Sequence, residues 1–174
     1  MNLRVLLATP YDLTVPGGVN SQSFGLLDAL TARGVEARLV GPSSAETPGQ
    51  DPRVLAVGRP SNLPFNGATS RVASDPRMLA RLRRLVQGFA PDVIHVQEPV
   101  SRLPCAALLW LAPPHVFRVG TFHTFSETGR GYLWAWPWVR MVWSRLVNCL
   151  PRAAVLIQRL SWQIWMASAL RSTP

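Results

Sequence analysis

The sequence contains no lysine, only two cysteines and no long hydrophobic run. Cys105 and Cys149 are too few and too far apart for a cysteine-rich metal site, and they predict reduced, buried thiols in a cytosolic protein. The first apolar run ends after a few residues at Thr9-Pro10, which argues against a signal peptide. The longest run, residues 105–112, stops at two prolines and is too short to span a bilayer.

Negative charge is missing from the last part of the chain. All 18 basic residues are arginine and the formal charge is +9. Residues 128–174 carry six arginines and no acidic residue, and six of the seven tryptophans lie after residue 130. An all-arginine sequence is typical of a GC-rich gene, so the charge alone does not indicate a nucleic-acid partner. The composition therefore divides the chain near Gly129.

The Gly-x-Gly-x-x-Gly dinucleotide fingerprint is also absent. Residues 3–8 predict a buried strand, and Phe24, Leu27 and Leu30 recur at helical spacing until Gly34. Between them lies a long loop that ends in Gly17-Gly18. A glycine turn at a helix N-terminus presents backbone N–H groups to an anion, although the two glycines also suit a simple sharp turn.

The rest of the chain alternates short apolar runs with helical patterns. Strands are predicted at 37–40, 54–57, 92–96 and 116–121, and helices after Asp75-Pro76 and at 102–112. This alternation predicts an α/β fold with a Rossmann-like, doubly wound parallel sheet. Residues 59–70, rich in proline and asparagine, are predicted to form an irregular substrate loop.

Polar residues follow three of the predicted strands. The Gly17-Gly18 turn, Gln97-Glu98 and His123 would lie together, because ligands of such sheets bind at the carboxyl ends of the strands. His123 is the main catalytic candidate, whereas His95 is expected in the core and His115 in a loop. No cluster of metal ligands is visible in the sequence.

Five motifs occur in the order and spacing of one enzyme family. They are Pro10-Tyr11, Pro16-Gly17-Gly18-Val19, Phe65-Asn66-Gly67, His95-Val96-Gln97-Glu98-Pro99 and Thr121-Phe122-His123-Thr124. Over roughly residues 1–132 the chain resembles the N-terminal domain of the retaining GT-B glycosyltransferases of family 4. The phosphatidylinositol mannosyltransferases are the most similar subgroup. The resemblance implies the N-terminal, acceptor-binding half of a GT-B fold, which faces a donor-binding domain across a cleft.

The resemblance also implies roles for individual residues. Gly17 and Gly18 would hold the donor pyrophosphate through backbone amides, and His123 would lie beside the transferred sugar. Acceptor-binding positions would be Tyr11, Asn66 and Arg71, and further cleft residues would be Gln97, Glu98 and Thr124. The partners would be a nucleotide sugar, which enters as a substrate, and a lipid or glycan acceptor. No metal and no cofactor is expected.

Three positions depart from the subgroup. Phe65 stands where Tyr is usual, Ala68 where Ser is usual, and Gln97 where the motif has a second histidine. These changes weaken the case for an inositol phospholipid as the acceptor and leave the family assignment intact.

Residues 134–174 match nothing in the family with certainty, and the usual donor domain with its Glu-x7-Glu motif is not found. We therefore expect a domain at residues 1–133, a tail at 134–174 and a truncated enzyme that is inactive alone. The tail is open to three interpretations: an out-of-frame continuation, an amphipathic segment at an anionic membrane surface, or an ordinary Trp-rich core segment. Within it, residues 138–148 are compatible with a helix of the family and 153–157 with its last strand.

The function expected from the sequence is hexose transfer by a cytoplasmic enzyme, peripheral at the inner face of the membrane. The alternative is a non-enzymatic module that binds a membrane or a partner through the Arg/Trp tail. Nucleic acid is not an expected partner, because the arginines at 77, 81 and 84 share a helical face that reads as a solvated surface.

Overall fold

A computed structural model describes residues 2–45, 51–65, 68–73, 77–99, 102–123 and 153–157. In chain order the elements are β1 (Arg4–Ala8), α1 (Gly18–Ala32), β2 (Glu36–Gly41), β3 (Val54–Ala56), β4 (Pro60–Phe65), β5 (Ala68–Ala73), α2 (Arg77–Phe89), β6 (Val93–Gln97), a π-helical turn (Arg102–Ala106), α3 (Ala107–Leu111), β7 (Phe117–Phe122) and β8 (Ala153–Ile157).

Six of the strands form one parallel sheet in the order β3-β2-β1-β6-β7-β8. The chain proceeds outward from β1 to β3 on one side and from β6 to β8 on the other, so the winding direction reverses between β1 and β6. The predicted Rossmann-like fold is thereby confirmed. In such sheets the crevice for a ligand opens at the carboxyl ends of the strands on either side of this reversal.

Strand β1 is buried on both faces, which explains its continuous apolar sequence. Leu6 and Ala8 belong to the core cluster that contains the buried residues of α2 and α3. Val5 and Leu7 belong to the cluster on the other face, together with Leu27 of α1. Because successive side chains of a strand point to opposite faces, this single strand anchors both helical layers. Truncating a fully buried leucine here would cost about 2–5 kcal/mol.

The predicted end of α1 at Gly34 is confirmed. Gly34 has a φ of +76°, which is favourable only for glycine, and its N–H donates to the carbonyl of Thr31 at 2.9 Å. The next N–H, that of Val35, donates to the carbonyl of Leu30 at 3.1 Å. These two bonds form a Schellman motif, which satisfies the last carbonyls of the helix and directs the chain into β2.

The prediction of an irregular loop at residues 59–70 is wrong. Residues 60–65 and 68–73 form an antiparallel hairpin, in which Phe65 pairs with Ala68. Pro60 and Pro64 are compatible with it because they are four residues apart, so their missing N–H groups fall on the same side of an edge strand. The decisive signal was Asn66-Gly67, the sequence most typical of a two-residue hairpin connection.

Strand β8 lies within residues 134–174, the segment that the sequence analysis separates as a tail, and it forms the last strand of the sheet. It pairs in parallel with β7, from Arg118 opposite Ala153 to Phe122 opposite Ile157. The rest of residues 134–174 lies outside the described part of the chain, and the division at residue 133 remains a prediction. The predicted helix at 102–112 is present as the π-helical turn followed by the short helix α3.

Candidate functional site

Helix α1 begins at the sheet edge that holds the carboxyl end of β1. Gly17 is its N-cap residue and accepts a hydrogen bond from the N–H of Ser21 at 2.8 Å. Gly17 has an extended backbone with φ of −175°, which any residue adopts, and an added Cβ at Gly17 or Gly18 would meet nothing within 4 Å. Neither strain nor internal packing therefore requires glycine here. The two residues leave open space in front of the helix N-terminus, where an anion is favoured by the helix dipole and the backbone amides.

Asn20 of α1 holds the loop that leads to Gly17, and the Asn20 residue is 5% exposed. Its side-chain Nδ2 donates to the carbonyl of Asp12 at 2.7 Å and to that of Val15 at 3.0 Å. Its Oδ1 accepts from the hydroxyl of Thr9 at 3.0 Å. Asn20 thus joins the end of β1, the loop and the helix in one buried contact. The sequence interpretation missed it, because a single Asn inside a helical pattern carries no signal of its own.

Asp12 holds the same loop against the segment after β2. Its carboxylate accepts from the N–H and hydroxyl of Thr14 and from the N–H and hydroxyl of Ser44. Burial by itself would raise the pKa of Asp12, but these hydrogen bonds outweigh it and the pKa is lowered. The side chain is therefore a carboxylate at neutral pH. The loop that carries Gly17 is fixed by polar contacts at both of its sides.

Gly41 at the end of β2 allows this loop to pack closely. A Cβ on Gly41 would lie 2.8 Å from Cγ2 of Thr9 and 3.0 Å from Cγ of Leu13, closer than such atoms approach. On either side of it, the carbonyls of Val40 and Pro42 accept from the N–H groups of Thr9 and Leu13. The close approach is what makes glycine necessary at this position.

His123, Gln97 and Glu98 come together as the sequence predicted. Gln97 ends β6 opposite Thr121 of β7, and the imidazole Nε2 of His123 lies 2.6 Å from Oε1 of Gln97. The backbone N–H of His123 donates to Oε1 of Glu98 at 2.7 Å. In turn, the N–H of Glu98 donates to the carbonyl of Thr121 at 2.7 Å. The ends of the two strands are therefore joined by one short network.

Glu98 combines burial with an unusual backbone conformation. It is 3% exposed and has a φ of +50°, in the left-handed region that non-glycine residues rarely occupy. Such conformations cost about 1–3 kcal/mol, persist where surrounding contacts hold them, and cluster at functional sites. Here the bonds to His123 and Thr121 hold it. Glu98 thus acts as a buried brace for the backbone of His123.

His95 lies behind this network in β6. Its Nε2 is 2.8 Å from the hydroxyl of Thr121. Burial, with a smaller contribution from nearby His123, lowers the pKa of His95 to about 4, so this imidazole is neutral near pH 7. The sequence predicts His95 in the core, but its side chain is only half-buried, and its ring bonds to Thr121 at the strand-end network. His115 is exposed in the loop before β7, as predicted.

The remaining predicted site residues are described only in part. Tyr11 is half-buried in the loop after β1, where its N–H donates to the hydroxyl of Thr9 at 3.3 Å. Arg71 lies in β5 opposite Asn62, but its side chain is outside the described part of the structure. Asn66 and Thr124 are likewise outside it. The acceptor-side roles of these residues therefore remain predictions.

A cavity of about 480 Å³ lies elsewhere, at the amino ends of β6 and β7. It opens between α2 and α3, and its polar or aromatic lining consists of Arg83, Gln87, Trp110 and His115. Gly17, Gly18, Gln97, Glu98 and His123 do not line it. In the described part of the chain, no group of three or more His, Cys, Asp or Glu side chains is arranged to hold a metal ion.

The geometry therefore places an open helix N-terminus and a braced imidazole at the same sheet edge, one on each side of the reversal between β1 and β6. The family model for Glycosyltransferase Family 4 matches residues 16–157, which include both features. The chain belongs to glycosyltransferase family 4.

The relatives to which this chain is similar belong to the subgroup that the motifs indicate. The chain is 32% identical over 122 residues to the phosphatidyl-myo-inositol mannosyltransferase of Mycobacterium leprae. The aligned region covers 70% of this chain and 32% of that protein. The enzymes of the same name from Mycolicibacterium smegmatis and Propionibacterium freudenreichii are 30% and 28% identical, again over 70% of this chain. The matched region spans about a third of the length of these relatives.

The Arg/Trp-tail alternative concerns residues 134–174, of which the structure describes only 153–157. None of the helices in the described ranges has the length and hydrophobicity that crossing a bilayer requires.

Proposed function

We propose that this chain is the acceptor-binding half of a retaining glycosyltransferase that moves a hexose from a nucleotide sugar to a hydroxyl of a lipid or glycan. The single observation that carries the proposal is the placement of two features on one sheet edge. The Gly17-Gly18 helix start follows β1, and the His123 network joins the ends of β6 and β7. A ligand in the crevice between β1 and β6 would meet both.

The donor side of the proposal follows from the anion chemistry. A nucleotide sugar carries a pyrophosphate, and the open N-terminus of α1 offers amides and a positive dipole end to it. His123 would then lie beside the sugar that leaves this pyrophosphate, where it positions the sugar or stabilises developing charge. We propose no cofactor, because the nucleotide sugar itself is the activated substrate.

The acceptor side of the proposal rests on the relatives, whose names specify an inositol phospholipid. We propose a lipid hydroxyl as the acceptor, met at an anionic membrane surface by a peripheral protein on its cytoplasmic side. Arg71 would suit the lipid phosphate, since a guanidinium pairs with phosphate through two hydrogen bonds. Gln97 and Phe65, which depart from the subgroup motif, are the positions at which acceptor choice would differ.

The proposal is tested in a chimera, because the chain spans only about a third of its relatives. Residues 1–157 of this chain replace the corresponding region of the Mycobacterium leprae relative, which supplies the remaining domain. The chimera is given nucleoside diphosphate hexoses and vesicles with or without phosphatidylinositol, and labelled lipid is measured. We expect transfer from one of the donors, and a folded chimera that transfers no hexose to lipid or water would overturn the proposal.

His123→Ala and His115→Ala form a matched pair in this chimera. His123 lies in the strand-end network, whereas His115 is exposed at the opposite edge of the sheet. We expect the first change to lower turnover by about 10²-fold or more, the usual effect of losing a group that stabilises transition-state charge. The second should leave turnover within twofold. Equal turnover of the two variants would remove His123 from the mechanism.

A further inference from the structure

We infer that Gln97 is a positioning residue that holds the His123 imidazole as its Nε2–H tautomer and thereby leaves Nδ1 as the unprotonated ring nitrogen. The imidazole and the amide are adjacent because Gln97 pairs with Thr121 and His123 follows two residues later. The role of this tautomer in hexose transfer rests on the proposed function, whereas the tautomer itself does not.

The side chains of Gln97 and His123 are in direct contact. Oε1 of Gln97 lies 2.6 Å from Nε2 of His123, which is short for a hydrogen bond between nitrogen and oxygen. An amide oxygen only accepts, so the imidazole nitrogen that faces it must carry the hydrogen. Gln97 is 1% exposed, so water competes little for this contact. The bond therefore favours Nε2–H over Nδ1–H.

Glu98, the residue after Gln97, fixes the backbone of His123. Oε1 of Glu98 accepts from the His123 N–H at 2.7 Å, and the Glu98 N–H donates to the carbonyl of Thr121 at 2.7 Å. The ring and the backbone of His123 are thus held by two consecutive residues at the end of β6. Because the backbone cannot shift freely, the ring keeps Nε2 towards Gln97.

Within the described ranges, two titratable groups lie close to the His123 ring. Glu98 binds the backbone N–H of His123, and His95 lies in β6 and bonds to Thr121. Burial lowers the pKa of His95, so it stays neutral and places no positive charge beside His123. Within the described ranges, no hydrogen bond is made to Nδ1 of His123. Nδ1 is therefore the nitrogen that remains for a ligand.

Because residue 97 is a glutamine, its contact with His123 does not depend on the protonation of residue 97. The family motif that this chain resembles usually has a histidine where Gln97 stands. An amide does not titrate, so its oxygen accepts the Nε2–H whether His123 is neutral or protonated. A neutral Nδ1 would accept a hydrogen bond from a sugar hydroxyl, and a protonated one would donate to a phosphate oxygen.

The tautomer is measured by nitrogen NMR of the full chain labelled in its histidines, without any donor or acceptor. Two variants keep the volume of the side chain: Gln97→Glu retains an acceptor oxygen, and Gln97→Leu removes it. We expect the Nε2–H form of His123 in the parent and in Gln97→Glu. In Gln97→Leu the ratio of the Nε2–H form to the Nδ1–H form should fall about fivefold, as expected for the loss of one hydrogen bond.

An Nδ1–H form of His123 in the parent chain, or an unchanged ratio in Gln97→Leu, would overturn the inference. The His95 signal reports the fold, because its bond to Thr121 does not involve residue 97. If Gln97→Leu does not fold, the parent tautomer alone decides. No outcome depends on catalysis, so failure here leaves the proposed transfer to be judged by the chimera.

Discussion

Replacing Asn20 by Ala tests whether the loop before α1 is held by one buried side chain. The change removes two donor contacts, to the carbonyls of Asp12 and Val15, and one acceptor contact, from the hydroxyl of Thr9. All three tie the loop to the helix that begins at Gly18. The loop should therefore loosen, and the unfolding free energy should fall.

The size of this effect follows from the burial of the partners. A buried polar group that loses its partner costs about 1–3 kcal/mol. Thr9 and Asp12 are 0% and 1% exposed, so water does not easily replace Asn20 there, whereas Val15 is 41% exposed and its carbonyl can bind water. We therefore expect a loss of about 2–4 kcal/mol, most of it from the two buried partners. For a chain of this size the melting temperature would fall by roughly 5–15 °C.

The assay is urea unfolding of the full chain followed by circular dichroism, with Ser21→Ala as the control. Ser21 is the next residue of α1 and is exposed, so its substitution should change the unfolding free energy by less than about 0.5 kcal/mol. If Asn20→Ala is as stable as Ser21→Ala, Asn20 does not hold the loop. The loop would then not be fixed in front of the N-terminus of α1.

Three further predictions concern neighbouring residues. Because the pKa of His95 is about 4 in the fold and 6.5 in the unfolded chain, the unfolded chain binds more protons between these values. The unfolding free energy should therefore rise by up to about 3 kcal/mol as pH increases through this window, and His95→Gln should flatten the rise in urea titrations at several pH values. Gly41→Ala should cost about 1–3 kcal/mol because its methyl meets Thr9 at 2.8 Å; a stability within error of the parent would contradict the close packing. Glu98→Ala should lower the unfolding free energy by about 1–3 kcal/mol and speed hydrogen exchange at the His123 amide. Glu98→Gln keeps an acceptor oxygen and should leave that amide protected. Equal exchange in both variants would show that Glu98 does not hold the His123 backbone.

The sheet and the position of the site could be predicted because both depend on local patterns. The apolar run before Thr9 and the helical spacing that ends at Gly34 each identify an element without tertiary information. The carboxyl ends of parallel strands meet at one edge by geometry, which is why the sequence predicts that Gln97, Glu98 and His123 lie together.

Other features depend on packing that the sequence pattern does not reveal. Asn20 is a brace only because the loop after β1 folds back over α1. In α2, Leu79 is 45% exposed whereas its neighbour Met78 is fully buried, although both residues are apolar. At residues 59–70 the prolines favour irregular structure, but proline is tolerated at a strand edge, and Asn66-Gly67 is the more specific signal.

An anionic donor is expected to bind at Gly17-Gly18 beside His123. The most direct test is amide NMR of the chain titrated with nucleoside diphosphate hexoses and with inorganic pyrophosphate. Gly17→Ala and Gly25→Ala are the matched variants: both added Cβ atoms meet nothing within 4 Å, and Gly25 lies on the exposed side of α1, away from its start.

We expect the chemical-shift changes to concentrate at the first amides of α1 and at His123. Gly17→Ala should weaken binding about tenfold or more, equivalent to about 1.4 kcal/mol, while Gly25→Ala should bind like the parent. Chemical-shift changes spread over the surface, or equal binding by the two variants, would show that the donor does not bind at this helix start.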